Sequence, residues 1–131
     1  MIGYVTIGTN DLPRAHAFYD ALFGTIGAKR LIEVPEHGGF TLYGTGFGAP
    51  GIVITRPYDG GEASVGNGAM IAIPMDERAK VDAFHGKAME LGASDEGAPG
   101  LRGDEGPRAF YGGYFRDPDG NKICAFRVGG A

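Results

Sequence analysis

A shift of 66 residues lays one half of the chain over the other. Tyr4 falls on Met70, Val5 on Ile71, Ile7 on Ile73, Ala17 on Ala83 and Phe18 on Phe84. Apolar positions matched at one fixed offset point to a strand–helix–strands unit that occurs twice. Two unrelated strand–helix units are the alternative. In either case each sheet must bury one face under its own helix, and this limits the folds open to the chain.

The first unit opens with a strand over Gly3–Thr9. Asn10 and Asp11 are N-cap residue types, and Pro13 sits in the first turn, where its missing N–H does no harm. Phe18, Leu22 and Ile26 recur every four residues, with Tyr19 and Phe23 beside them, so the spacing predicts a helix with one buried stripe. Gly24 and Gly27 end it. Strands follow over Arg30–Val34, Phe40–Tyr43 and Gly51–Arg56, separated by glycine-rich turns. Residues 58–68 are polar and glycine-rich and read as a connector. The second unit has a strand over Ala69–Pro74 and a helix capped by Asp76, with Val81, Phe84, Ala88 and Leu91 as its stripe and Gly92 as its stop. A loop from Ala93 to about Pro107 and strands over Phe110–Arg116 and Lys122–Val128 complete it.

Strand alternation assigns faces. Val5 and Ile7 face the first helix, with Ile52 and Ile54, which turns Tyr4, Thr6, Val53 and Thr55 the other way. The same rule puts Met70, Ala72, Lys122, Cys124 and Phe126 on the far face of the second sheet. Cys124, the only cysteine, thus faces a cavity rather than solvent. One cysteine forms no internal disulfide, which suits a reducing cytoplasm. The first residues lack the basic start and unbroken apolar run of a secretory signal. A net charge of −4 with scattered basic residues argues against nucleic acid and anionic membranes as partners. No apolar run approaches the ~18 residues that would span a bilayer. The 25 glycines lie in turns and strand ends rather than in a low-complexity tract.

Three stretches carry a family resemblance: NDLPRAHAFYDALFG at 10–24, DAFHGKAMELGASDEGAPGLR at 82–102 and, most specifically, RDPDGNKI at 116–123. Together they resemble the vicinal oxygen chelate superfamily, which includes glyoxalase I, bleomycin-resistance proteins, fosfomycin-resistance enzymes and extradiol dioxygenases. The resemblance covers nearly the whole chain. It implies an α+β fold with one domain, residues 1–131, made of two βαβββ modules at about 1–58 and 68–131. The modules would form a U-shaped half-barrel cavity, often completed by a homodimer.

In metal-dependent members of that family, four inward strand positions hold the ion with His, Glu or Gln. Projected here, they become Tyr4, Val53, Met70 and Cys124. Val53 offers no lone pair, Met70 is a soft thioether, and Tyr4 is a poor ligand until deprotonated near a pKa of ~10. His16 and His85 lie on helices and His37 in a turn. The expectation is therefore no metal, no other cofactor, and a cavity that binds a small apolar or aromatic molecule. Sequestration would resemble the bleomycin-resistance branch, in which binding itself protects. The expected ligand-binding residues are Tyr4, Val53, Met70, Arg102, Tyr111 and Cys124. Tyr111 is preferred to Tyr114 among the tyrosines beside Gly112-Gly113, and Arg102 and Arg108 would clamp an anionic ligand or else pair with Asp104 and Glu105. Tyr4 and Cys124 are the catalytic candidates. Cys124 would need a cation such as Lys122 to depress its pKa; otherwise it is a small buried apolar residue. His85 reads as a partly solvated helix histidine. A metal-independent lyase or isomerase, a metal-dependent glyoxalase-type lyase with other ligands, and a dimeric scaffold remain alternatives.

Overall fold

The computed structural model describes residues 1–131. They form two compact units, Met1–Val65 and Gly66–Ala131.

The first unit runs β1 (Tyr4–Gly8), α1 (Leu12–Gly24), β2 (Lys29–Val34), β3 (Phe40–Gly44) and β4 (Gly51–Thr55). Its sheet has the order β1-β4-β3-β2, with β1 and β4 parallel and the other pairs antiparallel. The Asp11 carboxylate accepts the Arg14 N–H at 3.0 Å, satisfying one of the free donors of the first helical turn. The buried stripe of α1 is Leu12, Ala15, Phe18, Tyr19, Leu22 and Phe23. It packs on Tyr43, whose ring lies 5.3 Å from that of Phe23. Each of these large side chains contributes roughly 1.5–3 kcal/mol by leaving water. The Tyr43 hydroxyl donates to Asp20 at 2.8 Å, and Arg30 donates to both oxygens of the same carboxylate. The connector folds back on this unit, because Asn10 exchanges two hydrogen bonds with the Ala63 backbone at 3.1 and 2.6 Å.

The second unit runs β5 (Ile71–Pro74), α2 (Arg78–Glu90), β6 (Ser94–Leu101), β7 (Phe110–Arg116) and β8 (Lys122–Val128), with sheet order β5-β8-β7-β6. Both units are thus βαβββ, and the architecture is α+β as the sequence implied. Val81, Phe84 and Ala88 of α2 are buried, together with Phe115, Ile123 and Ala125 of the sheet.

Two local expectations are corrected. The stretch after Ala93 is not all loop, since Ser94–Leu101 pairs with β7 as an antiparallel edge strand. It has no apolar alternation to announce it. Its register shifts twice around Gly97, so irregular backbone pairing makes the strand rather than side-chain pattern. Asp76 does not cap α2 either. The N-cap is Glu77, without a side-chain hydrogen bond, and Asp76 instead pairs with Lys80 at 2.7 Å.

Candidate functional site

The face of the first sheet turned away from α1 is built by alternation. The pairings Thr6↔Val53 and Leu42↔Val53 place Tyr4, Thr6, Phe40, Leu42, Val53 and Thr55 on it. Tyr4 is 54% exposed and sets its ring edge-on to Phe40 at 6.0 Å. Val53, flanked by Thr6 and Leu42, is fully buried.

At the end of this face where β1 and β4 both finish lies an open cleft of about 840 Å³. Thr6, Phe40 and Thr55 line it from the sheet, Glu36, His37 and Gly38 from the β2–β3 turn, and residues 56–59 and 62–64 from the connector. The turn can be this tight because Gly38 and Gly39 take φ of +69° and +77°, which L side chains rarely adopt. It is pinned at two points. The Arg56 N–H donates to the Gly38 carbonyl at 3.0 Å. From below, the Thr41 hydroxyl donates to the Gly39 carbonyl at 2.8 Å. That commits the hydroxyl proton, so the 2.9 Å contact with His16 makes His16 Nε2 the donor. Burial, reinforced by Arg30, pushes the His16 pKa below its usual value, favouring the neutral ring. Tyr58 stands wholly exposed at the cleft, and His37 and Arg56 are exposed beside it. The aromatic, amphipathic and charged groups on this wall suit a ligand with an apolar body and a few polar atoms.

On the second sheet, the pairings Tyr114↔Cys124, Gly112↔Phe126 and Ala72↔Cys124 define the face turned away from α2. Cys124 lies at its centre, 0% exposed, opposite Tyr114, and its thiol donates to the Ala125 carbonyl at 3.6 Å. Burial pushes the Cys124 pKa up, and the opposing pull of Tyr114, Arg102 and Lys122 is smaller. The group is therefore a thiol near neutrality, not the depressed-pKa nucleophile the catalytic reading needed. Tyr114 is shifted upward by its own burial and then by Cys124. Arg102 lies over the Tyr114 ring at 5.3 Å, and Lys122 lies over the same ring at 5.6 Å. Arg102 does not pair with Asp104 or Glu105. It donates to the carbonyls of Gly100 and Ala98, while Glu105 pairs with Arg78. Met70 precedes β5 and is exposed.

Tyr111 is not on this face. Its hydroxyl donates to Asp82 of α2 at 2.6 Å, and Arg78 covers its ring, so it belongs to the helix side of the sheet. Tyr114 takes the place expected for it. The sequence held the signal. The Asp117–Asn121 turn pairs Arg116 with Lys122, and counting two residues away from the turn on each strand sets Tyr114 opposite Cys124. His85 is likewise corrected from partly solvated to buried, at 6% exposure, with Nε2 3.1 Å from both Asp95 Oδ1 and the Tyr114 carbonyl.

The metal that many proteins of this resemblance hold does not fit the projected positions. Tyr4 and Val53 of the first unit, and Met70 and Cys124 of the second, supply a phenol, a hydrocarbon, a thioether and a buried thiol. No group of three or more His, Cys, Asp or Glu that would hold a metal ion occurs elsewhere in the chain.

Comparison with known proteins agrees with the fold. A crystal structure of a glyoxalase/bleomycin resistance protein from Albidiferax ferrireducens T118 is 36% identical, with a TM-score of 0.81 over 97% of this chain and 98% of that one. A lactoylglutathione lyase from Agrobacterium tumefaciens is 21% identical, with a TM-score of 0.67 over 97% and 92%, which speaks for the fold alone. The same holds for a glyoxalase-related enzyme from Fulvimarina pelagi, at 19% identity and a TM-score of 0.71 over 97% and 87%. None of the curated proteins compared with the chain matches it. The family model described as the Glyoxalase/Bleomycin resistance protein/Dioxygenase superfamily matches residues 1–125. The chain therefore belongs to the glyoxalase/bleomycin resistance/dioxygenase superfamily.

Proposed function

We propose that the protein binds a small, partly aromatic or apolar molecule in the cleft of its first unit, without a metal and without chemical turnover. The observation that carries this reading is the cleft itself. Its volume of about 840 Å³ lies in the range of small-molecule sites. Phe40, Pro57 and Tyr58 offer apolar contact, while Thr6, His37 and Arg56 offer a few polar anchors. The Albidiferax protein is described as a glyoxalase/bleomycin resistance protein, and resistance of that kind suits a sequestering role, in which binding is the whole function. The metal-free part rests on the donor chemistry at Tyr4, Val53, Met70 and Cys124. An acid–base role for Cys124 is disfavoured by the burial that keeps its proton on. Assembly as a homodimer belongs to the same reading, supported by exposed Ile2, Tyr4, Phe47 and Tyr58, and light scattering in solution tests it.

A thermal-shift panel of aromatic antibiotics and small metabolites tests the function. Ligand at 100 times its Kd stabilises the native state by roughly 2.7 kcal/mol, a shift on the order of 10 °C for a domain of this size. The wild type should respond saturably to at least one compound. Thr6→Trp, which fills the cleft from an exposed strand position, should not respond. An equal shift in Thr6→Trp, or none in the wild type, refutes the cleft. Elemental analysis showing one tightly held divalent ion per chain refutes the metal-free part.

A further inference from the structure

Two cations of the second unit meet at one aromatic ring. Arg78 and Arg116 are each paired with a glutamate, Glu105 and Glu96 respectively. Arg102 and Lys122 have no carboxylate at ion-pair distance, yet both approach the ring of Tyr114. On a chain of net charge −4, two positive charges gathered on one ring with no carboxylate in direct contact stand out. Arg102 is also pre-set. Two of its guanidinium N–H groups are held by the carbonyls of Gly100 and Ala98, which fixes the plane of the fork and leaves three donors free.

Along the strands the same face turns apolar. From Lys122, β8 presents Cys124 and then Phe126, while β7 presents Arg116, Tyr114 and Gly112 opposite them, with Phe110 the next residue beyond Gly112 on the same face. Phe110 and Phe126 are stacked, 5.4 Å apart and 7° from parallel. Gly112 makes this possible, since a Cβ there would come within 2.7 Å of the Phe110 ring. Lys122 and Phe126 are four steps apart along the strand, about 13 Å at ~3.3 Å per residue. Buried Cys124 forms the floor between the two ends. The face thus has a cationic end, an aromatic end and a spacing suited to one small molecule.

We infer that this face binds a small organic carboxylate with a flat apolar body, its carboxylate between Arg102 and Lys122 and its body along Phe126. The inference is independent of the cleft in the first unit. It goes further than a general preference for apolar ligands, because it assigns charge, polarity and direction.

Amide-resolved NMR titration of the intact chain with phenylacetate tests it, with 2-phenylethanol and inorganic phosphate as comparators. Phenylacetate should saturate and shift the amides of Gly97, Lys122, Cys124 and Phe126. Arg102→Gln and Lys122→Gln should each weaken it about fivefold or more, and added salt should weaken it further. The neutral alcohol should bind far more weakly, and so should phosphate, which lacks the apolar body. Unchanged amide shifts in α2, on the opposite side of the same sheet, show that the variants remain folded. The inference is overturned if the alcohol or phosphate binds as tightly as phenylacetate, or if both variants bind like the wild type. Shifts confined to cleft residues such as Gly38 and Tyr58 also overturn it, as does a failure to saturate by roughly 10 mM, beyond the millimolar weak-binding range.

Discussion

Replacing Gly39 with alanine tests how the first unit holds its cleft. Gly39 has φ +77°, and a Cβ built on it would lie 2.0 Å from Leu12 Cδ2 and 3.3 Å from Leu12 Cγ. Two costs add. Holding an L residue in the left-handed region costs about 1–2 kcal/mol. Making room costs about 1–3 kcal/mol, because Leu12 is a core side chain at the start of α1 and must leave its niche or push the turn outward. The expected loss is about 2–5 kcal/mol, a large share of the ~5–15 kcal/mol that stabilises a domain. Urea unfolding followed by far-ultraviolet circular dichroism should show a lower midpoint with an unchanged slope. Gly24→Ala is the control. Nothing lies within 4 Å of its added Cβ, and the site closes a helix, so that variant should be neutral or up to ~1 kcal/mol more stable. The turn beside Gly39 lines the cleft, so Gly39→Ala should also weaken any cleft ligand. A Gly39→Ala midpoint within ~0.5 kcal/mol of wild type, the scatter of ordinary surface substitutions, would refute the steric reasoning.

Three further outcomes follow from the geometry. Cys124 should resist alkylation at neutral pH in the native protein and react fully once unfolded; complete modification of the native chain within a minute, read by mass spectrometry, would contradict its burial and raised pKa. Arg78 holds the Glu105 pKa down at about 2, against an ordinary 4.5, so this ion pair's contribution is complete above about pH 4.5 and lost as pH falls to 2. Acid titration of Glu105→Gln should accordingly show a shallower loss of stability across that window than the wild type, and parallel curves would remove the pair from the account. His85→Ala should destabilise by about 2–4 kcal/mol through a cavity and lost hydrogen bonds, whereas exposed His37→Ala should stay within ~0.5 kcal/mol; equal melting temperatures would deny His85 its buried role.

The amino-acid sequence by itself determined the twice-used strand–helix pattern, the capped start of α1, the tight turn at Asp117–Asn121 and the faces of β1, β4 and β8. Each is written within a few neighbouring residues, as a period of two or 3.6 or as turn and cap chemistry. Tertiary structure decided the rest. Ser94–Leu101 became a strand because a neighbour offered its backbone, not because its own side chains alternate. Tyr114 is the intermediate case: the Asp117–Asn121 turn sets the β7–β8 register locally, and residues three apart on a strand point opposite ways, so its place opposite Cys124 was legible in the sequence. His85 was buried by Asp95 and the Tyr114 carbonyl, neither of them on its own helix. The cleft exists because Asn10 holds Ala63, 53 residues away, and draws the connector over the end of the sheet. Contacts at such separation depend on where the whole chain runs in space, and no local pattern of residues carries that information.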